Sequence, residues 1–383
     1  MSRHLDMRLI RESLMALIIA LVADSFAGYI MNQSVGVFVA VPGLLMMLPA
    51  LIDMRGNIYG AFISRLSSSL HLGEVESLRD EKVRTGIITT KSLAYSAALV
   101  VGGVVGFIIY LNTGDPFYMI FLPSIILVTH LFTASVLTPL TAYIGVKTYQ
   151  KGWNPDNVGV PLISSVGDVV SVGFIVLTAI FLLGISKYHT IFFIIILAIL
   201  GYVCFLVVRT LKTHDGKRVY FQSMPILVGI ALLELLTGSL WESNKIAIIL
   251  LILPPMLETL GNLSSIFSSR LSSFLYLGLV EPSVVPRGKH MHRELLSIFA
   301  LTILIYSLIS AFVFLISFDI RAVMMVWISA LLSIILLLLI AYYLTIGSLK
   351  FNMDPDNVVV PVITTLADIV GTSAIVFSYY LIF

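Results

Sequence analysis

Eleven long apolar stretches, each about the 20 residues a helix needs to cross a bilayer, set the terms on which this 383-residue chain can fold. They lie near 14–32, 35–66, 87–111, 117–147 and 157–184, then 190–208, then 220–241, 246–272, 295–317, 321–347 and 357–382. The second stretch of each group of five is long and interrupted by Pro and Gly, which predicts a broken helix or a re-entrant piece there. Only 11% of the residues are charged and 58% are hydrophobic, whereas a soluble domain carries roughly 25% charged residues. So little charge cannot cover a soluble surface, so lipid is the main solvent. The fold class implied is an all-α polytopic membrane protein.

The charges that remain are informative by position. A net charge of +2, with no basic tail, excludes a nucleic-acid partner. The single cysteine, Cys204, excludes an internal disulfide or a cysteine metal cluster. Arg3, Arg8 and Arg11 precede an apolar run as in a signal peptide, but that run has a counterpart later in the chain and so belongs to the fold. With the N-terminus in the cytoplasm, 19 Lys and Arg fall on the inner side and 3 on the outer side, Lys187, Lys245 and Arg321, with Arg55 inside a span. That bias follows the positive-inside rule. It places the C-terminus outside, in a multi-pass protein of the cell membrane.

The chain repeats itself. Residues 48–73 (LPALIDMRGNIYGAFISRLSSSLHLG) and 253–278 (LPPMLETLGNLSSIFSSRLSSFLYLG) are identical at 13 of 26 positions, and residues 154–168 (NPDNVGVPLISSVGD) and 354–368 (DPDNVVVPVITTLAD) at 8 of 15. A weaker match sets Asp24 and Gly28 over Glu234 and Gly238. The expected domains are a five-helix repeat at 1–186, a linking transmembrane helix and loop at 187–218, and a second five-helix repeat at 219–383. Five spans fused directly to their copy would invert it. The extra span restores parallel repeats, related by a pseudo-twofold axis along the membrane normal, with a central pathway expected at their interface.

Ionisable groups in hydrocarbon are costly, about 2.5–3.5 kcal/mol each near its centre, yet here they come in matched pairs: Asp24 with Glu234, Asp53 with Glu258, Asp168 with Asp368. Arg55 is the only buried-looking cation near them and Leu260 stands in its place in the second repeat, so the carboxylates are short of counter-charge and a bound cation is expected to supply it. Asn157, Pro161, Ser164 and Asp168 follow at spacings of four, three and four, on one helical face. Asn357, Pro361, Thr364 and Asp368 repeat that stripe. The donors are all oxygen, which suits a hard divalent cation such as Mg²⁺ or Ca²⁺. Gly56-Asn57 and Gly261-Asn262 fit either a pathway lining or close helix packing by small residues. Asp24 and Glu234, like Asp53 and Glu258, fit either an ion path or interhelical bonding.

Other polar residues read more plainly. Glu74, Glu76, Asp80 and Glu81 interleave with Arg79, Lys82 and Arg84 as a solvated loop, with ion sensing as the alternative. Arg65 and Arg270 mark the cytoplasmic end, His130 is a helix-bonding histidine, and His290 and His292 are surface residues.

The two LP…GN…SRLS segments and the two DPDN…P…D segments resemble the integral-membrane domain of the MgtE-type magnesium transporters and their duplicated relatives, the solute carrier family of Mg²⁺ carriers. The resemblance covers nearly the whole chain. It implies that the second and fifth helices of each repeat line the ion path, that Asp168 and Asp368 hold hydrated Mg²⁺ as the transported ion, and that the Gly-Asn pairs stand nearby. It also implies a single chain working as a fused pseudo-dimer. The cytosolic sensing domains of bacterial members have no counterpart in the dozen residues before the first span, so gating by them is not expected to carry over. Asn154 against Asp354, and Ser164-Ser165 against Thr364-Thr365, make the two halves unequal.

Three alternatives remain. Another divalent cation, Mn²⁺, Ca²⁺ or Co²⁺, fits the same ligands, whereas Zn²⁺ is disfavoured. An exchanger coupled to Na⁺ or H⁺ fits the same architecture. An intramembrane aspartyl protease is remote: Val166-Gly167-Asp168 has part of such a signature, but its partner is a repeat copy and no Tyr-Asp occurs. The chain is therefore read as a transporter and not an enzyme.

Overall fold

The computed structural model describes residues 7–152, 155–187, 189–276, 278–281, 288–350 and 355–383. The described residues form twelve helices and no strand: α1 (Met7–Gln33), α2 (Val35–Ala40), α3 (Leu44–His71), α4 (Glu81–Thr113), α5 (Tyr118–Gln150), α6 (Pro155–Ser186), α7 (His189–Leu211), α8 (His214–Ser243), α9 (Ala247–Tyr276), α10 (Lys289–Ser317), α11 (Ile320–Lys350) and α12 (Pro355–Ile382). Eleven are long and correspond to the eleven apolar stretches; α2 is the one short addition. Among the described residues nine helices are long and apolar enough to cross a membrane by themselves. The protein is a multi-pass membrane protein. The 28-residue α3 is outside those nine because Asp53, Arg55 and Arg65 dilute its hydropathy, yet at 1.5 Å per residue it is about 42 Å long.

The expected break in the second span of each repeat is only half realised. In the first repeat it lies between α2 and α3, where Gly43 takes φ 85°, a left-handed conformation that side chains disfavour. The Gly43 N–H donates to Glu242 Oε1 at 2.8 Å. Pro49 and Gly56 do not interrupt α3. In the second repeat α9 runs unbroken through Pro254 and Pro255. A proline ring leaves the carbonyl four residues earlier without its donor; for Pro255 that is Leu251, and the backbone of Gly28 packs onto this carbonyl from α1. The freed oxygen is covered by a neighbouring helix instead of bending its own.

The chain divides into two compact units, and they do not follow the repeats. One contains α2–α8, the other α1 with α9–α12. The first helix of each repeat has been exchanged: α1 packs on α9, the second helix of the other repeat, and α8 packs on α3. Both crossings use the same device. A methyl group added at Gly28 would overlap Leu251 O, and one at Gly238 would overlap Met46 O, so backbones touch where glycine permits it. Asn32 Nδ2 donates to Ala247 O at 2.9 Å at the end of the α1–α9 crossing. The linking helix α7 packs on α4, where Ser92 and Thr210 share a hydroxyl hydrogen bond of 2.7 Å.

Several buried hydroxyls inside the bundles are satisfied locally. Thr129, Thr141, Thr302 and Ser329 each donate to the carbonyl four residues earlier, at 2.6–2.8 Å, which removes the penalty of a polar group in lipid-embedded protein. Leucine and phenylalanine side chains on the outer faces, such as Leu197, Phe205 and Leu331, stay exposed as a lipid-embedded surface demands.

Candidate functional site

In the α2–α8 unit the candidate residues gather where α3 passes α6. Asp53, Gly56 and Asn57 are half-buried on α3, as is Ser164 on α6. Asn57 Nδ2 donates to Asp53 Oδ2 at 3.0 Å and to Asp53 O at 3.1 Å. That i,i+4 bond presents one oriented carboxylate per turn of helix. Gly56 faces α6, with Ser164 Oγ 4.0 Å from where a Cβ would stand. Glu234, from the exchanged helix α8, is fully buried, and neither of its carboxylate oxygens accepts a hydrogen bond. Asp53 is close enough for its charge to act on Glu234.

The second unit repeats the construction with α9 and α12. Asn262 Nδ2 donates to Glu258 Oε1 at 3.2 Å. Gly261 faces α12, where a Cβ would lie 3.6 Å from Thr364 Cγ2 and 3.9 Å from Ala367 Cβ. Asp24, on the exchanged helix α1, is buried. The Gly28 crossing onto Leu251 and Pro255 lies one turn from Asp24 along α1. In both pairs the glycine faces the neighbouring helix and the asparagine orients an acid.

Asp168 and Asp368 differ. Asp168 is buried on α6 and is ion-paired with Arg55 Nη2. Arg55 Nη1 donates to Ser164 O at 2.9 Å and to Ile163 O at 3.3 Å. The expected shortage of counter-charge is thus corrected for this half: Arg55 reaches across from α3 and supplies it. Asp368, on α12, is half-buried, and the residue aligned with Arg55 is the fully buried Leu260. The missed signal was a paired exchange within one sequence. Arg55 goes with Gly167, Leu260 with Ala367, and a methyl at Gly167 would overlap the Arg55 guanidinium.

Asn157 and Asn357 lie in the opening turns of α6 and α12, but their side chains are outside the described residues, as are Asn154 and Asp354 altogether. The acidic loop is satisfied by its own neighbours: Glu76 N, Ser77 N and Ser77 Oγ donate to Asp80 at 2.7, 3.0 and 3.1 Å, and Lys82 pairs with Glu74 at 2.7 Å. Those backbone amides hold the Asp80 carboxyl below the usual carboxylate range, and Lys82 does the same for Glu74. His130 Nδ1 bonds Ile126 O at 2.9 Å within α5. Arg270 does more than mark an end, since its Nε donates to buried Glu294 of α10 at 2.6 Å. Among the described residues no three His, Cys, Asp or Glu side chains come together as a ligand set.

The profile of one family, described as MgtE, divalent cation transporter, matches residues 48–180 and 253–378, more than half of the chain and both copies of the site. The chain belongs to the MgtE family. Its curated relatives are solute carriers. Mouse solute carrier family 41 member 3 is 23% identical over 406 residues, covering 95% of this chain and 80% of the relative. The rat member 3 is 22% identical, covering 93% and 83%. Human solute carrier family 41 member 2 is 24% identical over 381 residues, covering 90% of this chain and 65% of the relative. The matched segments cover most of α3, α6, α9 and α12, and Asp53, Asn57, Asp168, Glu258, Asn262 and Asp368 lie within them. Membership also makes this chain a transporter and not an enzyme.

Proposed function

We propose that this MgtE-family chain transports Mg²⁺ along a path lined by α3 and α6 in one unit and by α9 and α12 in the other. Asp168 and Asp368 meet the hydrated ion, and Asp53, Asn57, Ser164, Glu258, Asn262, Thr364, Asn157 and Asn357 line the approach. The observation that carries this reading is the duplicated amide–carboxylate pair, Asn57 on Asp53 and Asn262 on Glu258, each one helical turn long and each beside a glycine crossing. Mg²⁺ sheds water reluctantly, so carboxylates spaced along helices, rather than a closed cage, fit it as cargo. An inward-negative potential favours entry of two charges by about 4.6 kcal/mol per 100 mV. On this reading the chain works in the cell membrane as a single-chain transporter, N-terminus cytoplasmic and C-terminus outside, an orientation supported by the excess of Lys and Arg on one side.

The test is Mg²⁺ uptake by purified protein in proteoliposomes. Asp368→Asn is expected to reduce uptake about 100-fold or more, the scale of one lost charge beside a divalent ion. Wild-type uptake from that variant removes Asp368 from the path. Competition by Mn²⁺, Ca²⁺ or Co²⁺ in the same assay reads selectivity. A second reading, exchange coupled to H⁺ or Na⁺, is favoured by Glu234, a buried carboxylate without a hydrogen bond. Uptake that follows an imposed pH or Na⁺ gradient and is uncoupled by Glu234→Gln would establish it.

A further inference from the structure

Arg55 is the one basic residue among the carboxylates of the proposed path, and the second half has no counterpart. It is 3% exposed, ion-paired with Asp168, and bonded to two carbonyls of α6. Its Nε–H finds no acceptor, and Arg55 borders a crevice, too tight for a water molecule, with Tyr59, His130, Thr133 and Ser171. Gly167 leaves the space in which the guanidinium sits. At the aligned positions of the other unit, Leu260 and Ala367 are fully buried and pack without any charge. The helix arrangement therefore closes equally well around an apolar pair. Replacing a buried ion pair by apolar residues is often neutral or stabilising, so stability alone does not account for this arginine.

Resting on the proposed path, we infer that Arg55 is an affinity-setting residue: a tethered cation that takes up the charge of Asp168 and weakens the hold of this half on a divalent ion. The charged groups facing it are Asp53 on its own helix and Asp168 on α6, with Glu234 of α8 beyond Asp53. His130 of α5 and Tyr59 of α3 are the other titratable neighbours. Arg55 offsets one unit of negative charge in that group, and the aligned Leu260 carries no charge. A divalent ion feels a neighbouring charge twice over, so a single charge within a few ångströms changes its binding about tenfold or more even at high effective dielectric. The consequence is a first half that releases the ion more readily than its carboxylates alone would.

The experiment compares the Mg²⁺ dependence of uptake in proteoliposomes for the full chain and for Arg55→Leu, Arg55→Gln, Asp168→Asn and the double variant Arg55→Leu with Asp168→Asn. Arg55→Gln retains an amide donor for the α6 carbonyls, so it removes the charge even if Arg55→Leu folds poorly. Either neutral variant is expected to lower KM for Mg²⁺ about tenfold. Asp168→Asn is expected to raise KM, and the double variant to recover much of that loss, because it removes the orphaned guanidinium too. An unchanged or raised KM in folded Arg55→Gln overturns the inference, as does a double variant as impaired as Asp168→Asn. If uptake by the unaltered chain is absent, or Asp368→Asn transports normally, the proposed path itself fails. Normal loss in Asp368→Asn with no KM change in Arg55→Gln sinks only the role of Arg55.

Discussion

The α2–α8 unit holds Arg55, Gly167 and Asp168 where the α1/α9–α12 unit holds Leu260, Ala367 and Asp368. Around these trios the two units use the same glycine crossings, the same amide–carboxylate turns and the same exchanged first helix. The difference teaches that the duplicated scaffold and the charge it carries are separable. One copy completes its packing with a guanidinium in a glycine-made space, the other with a leucine against an alanine.

The sharpest break in the comparison should come from the aspartates. Asp168→Asn leaves the Arg55 guanidinium buried without its anion, a loss of about 3–5 kcal/mol. Asp368→Asn leaves no guanidinium behind at position 260. Thermal unfolding of the purified protein in detergent should therefore show a much lower midpoint for Asp168→Asn, and equal midpoints would mean that the ion pair contributes nothing to the fold. The exchanged crossings, by contrast, should behave alike. Gly28→Ala and Gly238→Ala each drive a methyl into a neighbouring backbone carbonyl, an overpacking of about 1–3 kcal/mol. A large loss in one unit and none in the other would show that the two crossings are not equivalent. The smallest effect belongs to Gly56→Ala and Gly261→Ala. Added methyls there meet only ordinary contacts of 4.0 and 3.6 Å, and alanine favours the helix by about 0.5–1 kcal/mol over glycine. Both variants should fold with unchanged or slightly higher midpoints, and a clear destabilisation would mean that α3 and α6, or α9 and α12, approach more closely than described.

The helices themselves were legible because hydropathy acts along the chain, one span at a time. The short α2 was not separable from α3, since the residues from Val35 to Leu51 are apolar on both sides of Gly43. Pro254 and Pro255 looked like a break because a proline's missing donor is visible in sequence, whereas the α1 backbone that covers Leu251 O is not. The matched acids were legible for the same reason the repeat was, by identity of position. Pairing of Arg55 with Asp168 was not, because 113 residues separate them and nothing local says that α3 and α6 approach at that turn. Nor does a repeat say which copy a helix packs on. Gly28 and Gly238 are aligned equivalents, so sequence alone fits either helix to either partner.

Exchange of the first helices also orders events in time. The hydrogen-bonded residues Asn32 and Ala247 are 215 positions apart, roughly 10–40 s of synthesis at about 5–20 residues per second. During that interval α1 has left the ribosome with Asp24 and Gly28 on it, and the helix that will cover them does not yet exist. A carboxylate waiting in hydrocarbon is unfavourable by about 2.5–3.5 kcal/mol, so nascent α1 must be sheltered at the translocon or held near the headgroups until α9 emerges. Helix α1 is therefore made long before its final neighbours, and a chain halted before α9 strands it in the bilayer.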